Sequence, residues 1–294
     1  MNFIKKYKYN YLLITAVIGY CAYLLIYFGW FSLNEISEAP NRFNPNLGFL
    51  PLVFSALIFA PVIEELAFRG FYTKNRILQI ISIIGIPLLL LLIKNYFVLI
   101  IAIPYLILLI INLYKKNYSN KHILFVYSAV VFALAHYKLE HFNNIITVIP
   151  IIGQFAVGLL LLWVVLNFNI KKSILLHFVF NLLLMLPAFI SLQFPNKEVK
   201  TLEYNNYQLT WEKTPVLSGM RIFSKPNPYA VSVTNFTPLD VYLSYDRDNK
   251  PKLRNSELFN KYKLSIKKTN EDTIKLDSII VKDILIKAEL LIDN

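Results

Sequence analysis

The sequence predicts an all-α polytopic membrane helix bundle of about seven spans, followed by a small β-rich extramembrane domain. The first observation behind this fold class is composition: 56% of the 294 residues are hydrophobic, and the mean hydropathy is +0.50. The second is that several apolar runs approach the roughly 20 residues that cross a bilayer. The third is that these runs stop near residue 195. We therefore expect a helical membrane domain at 1–195 and a separate domain at 196–294.

The apolar runs predict individual spans at about 11–32, 48–68, 77–93, 96–113, 123–137, 145–166 and 173–192. Only Lys94 and Asn95 separate the third span from the fourth, so this pair is expected to form a tight hairpin or one irregular element. The basic N-terminus leads into the first span without a small-residue cleavage site, which predicts a retained signal-anchor. Cys21 is the single cysteine, so no intramolecular disulfide can form.

Positive charge predicts the orientation of the bundle. Clusters of lysine and arginine lie near residues 5–8, 69–76, 115–121 and 171–172, and the other connections carry little charge. The positive-inside rule then puts the N-terminus in the cytoplasm and, after seven spans, the C-terminal domain outside it. The Lys-, Ile- and Asn-rich, Gly-poor composition is typical of an AT-rich bacterial genome, so the expected location is a bacterial cytoplasmic membrane.

The formal net charge of +12 needs no nucleic-acid partner to explain it. Residues 1–195 contribute +9 (14 basic and 5 acidic side chains) and residues 196–294 contribute +3 (16 basic and 13 acidic side chains). Most of the excess is therefore the charge that sets membrane orientation.

Short alternating segments predict strands in the second domain: YQLTW at 207–211, AVSVTNF at 230–236, VYLSY at 241–245 and YKLSI at 262–266. Turns are expected at KPNP (225–228) and DRDNKP (246–251), and the stretch 273–292 is expected to be a strand pair or a short helix. This domain contains neither histidine nor cysteine and no recognisable catalytic motif.

Two adjacent glutamates, Glu64 and Glu65, lie at the end of an apolar run. A carboxylate at membrane depth costs a few kcal/mol, so such residues mark candidate functional sites. The glutamate pair begins the first of three polar motifs, each on an apolar helix: EExxxR at 64–69, FxxxH at 132–136 and HxxxN at 177–181.

Helical spacing predicts how these side chains are arranged. Residues four apart share a helix face, so Glu65 pairs with Arg69 and His177 lies beside Asn181. Glu64 is rotated by about 100° from Glu65 and can face a cavity as a general base. Taken singly, each polar residue is explained by packing, by an ion pair or by helix–helix hydrogen bonding. Together, in a chain with four histidines, they favour a site.

EExxxRG, FxxxH and HxxxN, in this order on separate helices, resemble the signature of the CPBP family of CAAX-protease and bacteriocin-processing proteins, also called Abi. These are polytopic intramembrane proteases, and the resemblance covers about 48–190. It implies an intramembrane endopeptidase that acts on a membrane-associated protein or peptide in the lipid bilayer. The segments at 77–113 are longer than the family core requires and are interpreted as an inserted hairpin.

The resemblance also implies roles for individual residues. Glu64 would activate the attacking water, His136 and His177 would position that water or bind a metal ion, and Asn181 would stabilise the oxyanion. Glu65 and Arg69 would support the site. Zinc held by His136, His177 and Glu64 is one possibility, but a glutamate that ligates metal cannot also be the free base. The metal and metal-free mechanisms therefore both stay open.

Two other functions are compatible with the sequence. One is a membrane scaffold or bacteriocin-immunity protein that uses the polar core for helix packing and residues 196–294 for binding. The other is a proton-coupled transporter, which also needs intramembrane glutamate and histidine. The transporter is less favoured because no pair of matching half-repeats is present.

Overall fold

A computed structural model describes residues 7–30, 48–115, 120–143, 145–246, 253–257, 259–269 and 275–293 of the chain. Two compact units divide between Leu182 and Leu183, inside the last long helix, and Phe49 is grouped with the second unit. The change of composition near residue 195 falls a little beyond the end of this helix at Gln193.

The first unit is helical. Its elements are α1 (Asn10–Trp30), α2 (Phe49–Phe54), a π-helical turn (Ser55–Phe59), α3 (Ala60–Arg69), α4 (Arg76–Leu92), α5 (Tyr96–Lys115), α6 (Lys121–Leu134), α7 (Ile145–Asn167) and, as far as Leu182, α8 (Ile170–Gln193). The 3₁₀ turn Gly70–Tyr72 joins α3 to α4. A second 3₁₀ turn, Leu139–Asn143, lies between α6 and α7.

Among the described residues, five helical segments are long and apolar enough to cross a membrane: Asn10–Gly29, Phe49–Tyr72, Tyr96–Lys115, Val148–Asn167 and Ile170–Gln193. The chain is therefore a multi-pass membrane protein. The other two apolar helices, α4 and α6, have 17 and 14 residues and are shorter than a usual span. The prediction of about seven spans is not confirmed, although a helix occupies each of the seven predicted segments.

Helix α3, which carries the glutamate pair, ends inside this apolar bundle. The last carbonyls of a helix have no partner within it, and a membrane interior offers no water to satisfy them. Here Ser82 on α4 donates to the carbonyl of Ala67, and Ser128 on α6 donates to the carbonyl of Phe68 at 3.0 Å. These bonds fix α3 between α4 and α6, so its side chains have defined directions.

Packing around α3 reinforces this position. The buried cluster at its C-terminal end draws on α3, α4, α5, α6 and α7; its members include Phe68, Phe71, Ile86, Leu90, Val98, Tyr105, Leu124, Phe132 and Leu161. A second cluster packs α1 against α6 and α7 through Leu12, Ala16, Phe125, Ala129, Leu159, Leu162 and Trp163. Both clusters contain residues of α6 and α7, so these two helices connect the packing around α3 to the packing around α1.

The second unit is an α+β structure. Its elements are β1 (Lys200–Tyr204), β2 (Tyr207–Thr214), β3 (Ile222–Asn227), β4 (Ala230–Phe236), α9 (Pro238–Leu243), β5 (Leu253–Asn255), β6 (Lys261–Lys268), α10 (Ser278–Lys287) and β7 (Leu291–Asp293). An antiparallel sheet has the order β1-β2-β6-β4-β3, and β5 pairs with β7. One sheet face packs on the helices around Leu209, Val231, Leu264 and Ile284.

The β-rich character of the tail and three of its predicted strands are confirmed as β2, β4 and β6. The strand predicted at 241–245 is wrong, because α9 covers most of it. The turn predicted at 225–228 is displaced, because β3 runs to Asn227 with a register shift after Ser224. The stretch at 273–292 forms the helix α10 and then begins β7. The turn predicted at 246–251 lies mostly outside the described residues.

Candidate functional site

Glu65 lies at the centre of a buried hydrogen-bond network on α3. It is fully buried. Its Oε1 accepts from Arg69 Nη1 at 3.0 Å and from His177 Nδ1–H at 3.0 Å, and its Oε2 accepts from Ser173 Oγ at 2.6 Å. An ionised carboxylate is acceptor-only, so three donors from two helices suit that form of Glu65. Glu65 therefore links α3 to α8.

Arg69, which is also fully buried, balances the charge of Glu65. Its guanidinium lies 3.8 Å from the centroid of the Phe132 ring, and its Nη2 donates to the Gly158 carbonyl at 3.4 Å. The space is tight, since a Cβ at Gly158 would lie 3.1 Å from the Phe132 ring. Hydrogen bonds and the cation–π contact with Phe132 offset part of the cost of burying Arg69, while its Nε has no hydrogen-bond partner within the described residues.

Glu64 faces two histidine rings. Its side chain is 18% exposed, and Oε2 lies 3.7 Å from His136 Nε2 and 3.8 Å from His177 Nε2. These separations exceed the 2.7–3.2 Å of a direct hydrogen bond and fall in the range where a water can bridge. The buried Oε2 atom has no hydrogen-bond partner within the described part of the chain.

The partners of the other ring nitrogens define the histidine tautomers. His177 Nδ1 faces the Glu65 carboxylate, and His136 Nδ1 lies 2.9 Å from the Phe132 carbonyl. Both partners are acceptors, so each Nδ1 carries a proton and each Nε2 is the ring nitrogen that faces Glu64. Glu64 Oε2 therefore lies between the Nε2 atoms of two histidine rings, at distances of 3.7 and 3.8 Å.

Asn181 hydrogen-bonds to the backbone of the π-helical turn Ser55–Phe59. Its Nδ2 donates to the Ala56 carbonyl at 2.8 Å. The Ala60 N–H bonds to the Ser55 carbonyl in the i to i−5 pattern, and the next such donor would be residue 61. That residue is a proline without an N–H, so the Asn181 amide replaces the donor that Pro61 lacks.

The structure thus brings together Glu64, Glu65, Arg69, His136 and His177 of the predicted site residues. Asn181 bonds to Ala56 instead of to one of these side chains. Ser173 was missed by the motif analysis, although a serine four residues before His177 shares its helix face. Gly158 was missed as well, because a main-chain acceptor leaves no signal in the sequence.

Glu64, His136 and His177 are the donor set that the sequence suggested for zinc. Zinc ligands at about 2.0–2.2 Å in a tetrahedral shell lie about 3.4 Å apart, and the two separations here are wider. Over the described ranges, no group of three or more His, Cys, Asp or Glu side chains is arranged to hold a metal ion. In this geometry the three donors do not form a zinc site, and the reaction proposed for them uses no metal.

The fold and the site define a class: a multi-pass membrane protein with a buried carboxylate–histidine cluster between its helices. Residues 46–183 match the family model described as type II CAAX prenyl endopeptidase Rce1-like. The match contains all three motifs and confirms the family resemblance that they predicted. Because this is a protease family, it supports peptidase activity in general. No curated protein and no solved structure matches the chain.

Proposed function

We propose that the protein is an intramembrane endopeptidase that hydrolyses a peptide bond with a glutamate- and histidine-activated water. The observation that carries this proposal is the convergence of Glu64 Oε2 with the Nε2 atoms of His136 and His177, at 3.7 and 3.8 Å. A scaffold needs no such convergence, because its polar side chains would bond directly to one another.

The proposed reaction begins with water bound between Glu64 and the two histidines. Glu64 Oε2 takes a proton from the water as general base, and the water oxygen bonds to the carbonyl carbon of the scissile peptide. Collapse of the tetrahedral intermediate breaks the C–N bond, and the proton held by Glu64 passes to the leaving amine. Water is consumed, and one carboxyl group and one amine are formed.

Asn181 is proposed to stabilise the oxyanion of the intermediate. Its amide group has two hydrogens, and one of them goes to the Ala56 carbonyl. The second would donate to the developing negative charge, and a donor of this kind contributes about 10²–10³-fold to kcat. Glu65, Arg69 and Ser173 would hold His177 in the tautomer that leaves Nε2 unprotonated.

The proposed substrate is a membrane-associated protein or peptide, and the matched family's description suggests one with a prenylated CAAX terminus. We further propose a bacterial cytoplasmic membrane as the location. A lipidated peptide would reach a site among apolar helices through the bilayer, which concentrates it beside the protein.

The test uses the full-length protein in proteoliposomes and an internally quenched, farnesylated CAAX peptide. Glu64→Gln keeps the shape of the side chain and removes the base, so kcat should fall by about 10²–10⁴-fold with little change in KM. Glu140→Gln is the control, because Glu140 is exposed and lies in the Leu139–Asn143 turn. Zinc content of the active protein, measured in parallel, decides between the metal and metal-free mechanisms.

Normal turnover by Glu64→Gln would overturn the assignment of the base. If the wild-type protein leaves the peptide intact but processes a different membrane peptide, the prenyl substrate is wrong and the hydrolase remains. Cleavage of no peptide, together with an unchanged cellular phenotype in Glu64→Gln, would favour the scaffold.

A further inference from the structure

We infer that Asn95 is a positioning residue for His136, an inference that rests on the proposed function. Asn95 lies in the short connection between α4 and α5, within the pair of segments interpreted from the sequence as an inserted hairpin. Nothing in the three motifs points to it. The structure gives this hairpin a direct link to the candidate active site.

His136 lies beyond the end of its helix. α6 ends at Leu134, and the His136 N–H bonds to the Ala133 carbonyl at 3.4 Å, in a turn and not in the helix. A residue in a turn has more conformational freedom than one inside a helix. The direction of the His136 ring therefore depends on what holds the backbone on either side of it, as well as on the bond of Nδ1 to the Phe132 carbonyl.

Asn95 holds the backbone on both sides of His136. Its Nδ2 donates to the Tyr137 carbonyl at 2.9 Å and to the Ala135 carbonyl at 3.3 Å. The two amide hydrogens of one side chain thus bond to the residues directly before and after the histidine. Asn95 is 4% exposed, so water does not compete for these bonds.

Asn95 is itself held in place. Its backbone N–H donates to the Leu90 carbonyl at 2.8 Å, its carbonyl accepts from Leu99 N at 3.1 Å, and its Oδ1 accepts from Val98 N at 3.3 Å. The preceding Lys94 has a φ of 55°, which closes the α4–α5 connection tightly. Every polar group of Asn95 is hydrogen-bonded, so its side chain rigidly connects the α4–α5 connection to the turn that carries His136.

This geometry has a catalytic consequence. In the proposed reaction a water lies between His136 Nε2 and Glu64 Oε2, so the 3.7 Å separation of these two atoms must be kept. A misplacement of about 1 Å in a catalytic group can cost on the order of 10²-fold in rate. Loss of the two bonds would release the turn and let the ring move by such an amount.

The experiment compares Asn95→Leu with Asn112→Leu in the full-length protein. Asn112 is a matched control, because it is a buried asparagine on α5 whose Nδ2 bonds to Leu108 within its own helix. With the farnesylated peptide in proteoliposomes, Asn95→Leu should lower kcat about 100-fold with KM within about twofold. Asn112→Leu should keep kcat within about threefold of wild type.

A second readout does not depend on activity. The chain has four histidines, so ¹⁵N-histidine labelling gives few ring signals, and His136→Gln identifies the signal of His136. Asn95→Leu should shift or broaden that signal, and Asn112→Leu should leave it unchanged. If the proposed function is wrong, no variant is active, but the His136 signal still shows whether Asn95 positions the ring.

If Asn95→Leu does not fold, Asn95→Asp replaces it. An aspartate has nearly the same shape but at most one donor in place of two, so a loss of kcat is expected without a change in packing. The inference is overturned if the Asn95 variant keeps both kcat and the His136 signal of the wild type, or if Asn112→Leu loses as much activity.

Discussion

At the scale of single residues, Glu64 and Glu65 differ because their surroundings differ. Glu65 accepts from three donors and is completely buried, whereas Glu64 is partly exposed and faces the Nε2 atoms of two histidine rings without a direct hydrogen bond to either. A carboxylate that is already fully bonded cannot readily take a proton from water. Glu64 is therefore the member of the pair suited to general-base chemistry, and Glu65 is suited to orienting His177.

The bond of Asn181 to the Ala56 carbonyl and its proposed role at the oxyanion are separable, and a double variant distinguishes them. Asn181→Leu should lower stability by about 1–3 kcal/mol, because the Ala56 carbonyl loses its donor, and should also lower kcat. Pro61→Ala supplies a backbone N–H for that carbonyl. The double variant Pro61→Ala/Asn181→Leu should therefore regain stability, measured by thermal unfolding in detergent, while kcat stays low.

The control for this comparison is Pro61→Ala alone, which should remain active. If turnover of the double variant returns to the level of Pro61→Ala, Asn181 acts through the backbone and donates nothing to the substrate.

Helix periodicity could predict the pair of Glu65 and Arg69, which are four residues apart, and the motifs themselves contain Glu64, His136 and His177. Asn95 could not be predicted in this way, since its partners are main-chain carbonyls 40 and 42 residues further along. The bond of Asn181 to Ala56 could not be predicted either, because it depends on a π-helical turn.

At the scale of elements, the sequence patterns predicted helices well and the strands only in part. β1 and β3 were missed because they are the edge strands of the sheet. β3 contains Pro226, which an edge strand tolerates. The helix α9 was missed although its signal was present: Thr237 and Asp240 form a capping box around Pro238. A strong local cap overrode the alternation of 241–245.

Gly70 marks the close approach of α3 to α4. A Cβ at Gly70 would lie 2.7 Å from the Leu78 carbonyl oxygen, too close for the backbone to accommodate without moving. Its φ of −53° is ordinary, so lack of space is the reason for glycine here. Gly70→Ala should destabilise the protein by about 1–3 kcal/mol, measured by thermal unfolding in detergent.

Gly29→Ala on α1 is the matched control, because a Cβ there meets no atom of the described residues within 4 Å. It should be neutral or slightly stabilising, since alanine favours a helix more than glycine. Equal destabilisation by both variants would contradict the steric explanation.

At the scale of the whole molecule, the number of crossings decides which side each connection faces. Five crossings and seven crossings are both odd, so either number places the two termini on opposite sides of the membrane. Five and seven crossings place the connection between α5 and α6 on opposite sides of the membrane. It is cytoplasmic if α4 and α6 both cross, and external if neither does.

Charge favours seven crossings, and helix length favours five. The lysines at 115, 116 and 121 lie at this connection, and the positive-inside rule places them in the cytoplasm. At 1.5 Å per residue, the 14 residues of α6 span only about 21 Å of the roughly 30 Å apolar core. The turn that follows α6 is held by Asn95, so irregular backbone can complete the crossing inside the protein.

We therefore expect seven crossings, with the second unit outside the cytoplasm. The measurement is labelling of single cysteines by a membrane-impermeant maleimide in intact cells, with Cys21→Ser as background. Leu217→Cys in the second unit, which is exposed, should be labelled. Tyr114→Cys at the end of α5, 78% exposed, should react only after the membrane is opened. Labelling of both cysteines in intact cells would establish that α4 and α6 do not cross, since only then does the lysine-rich connection face outward.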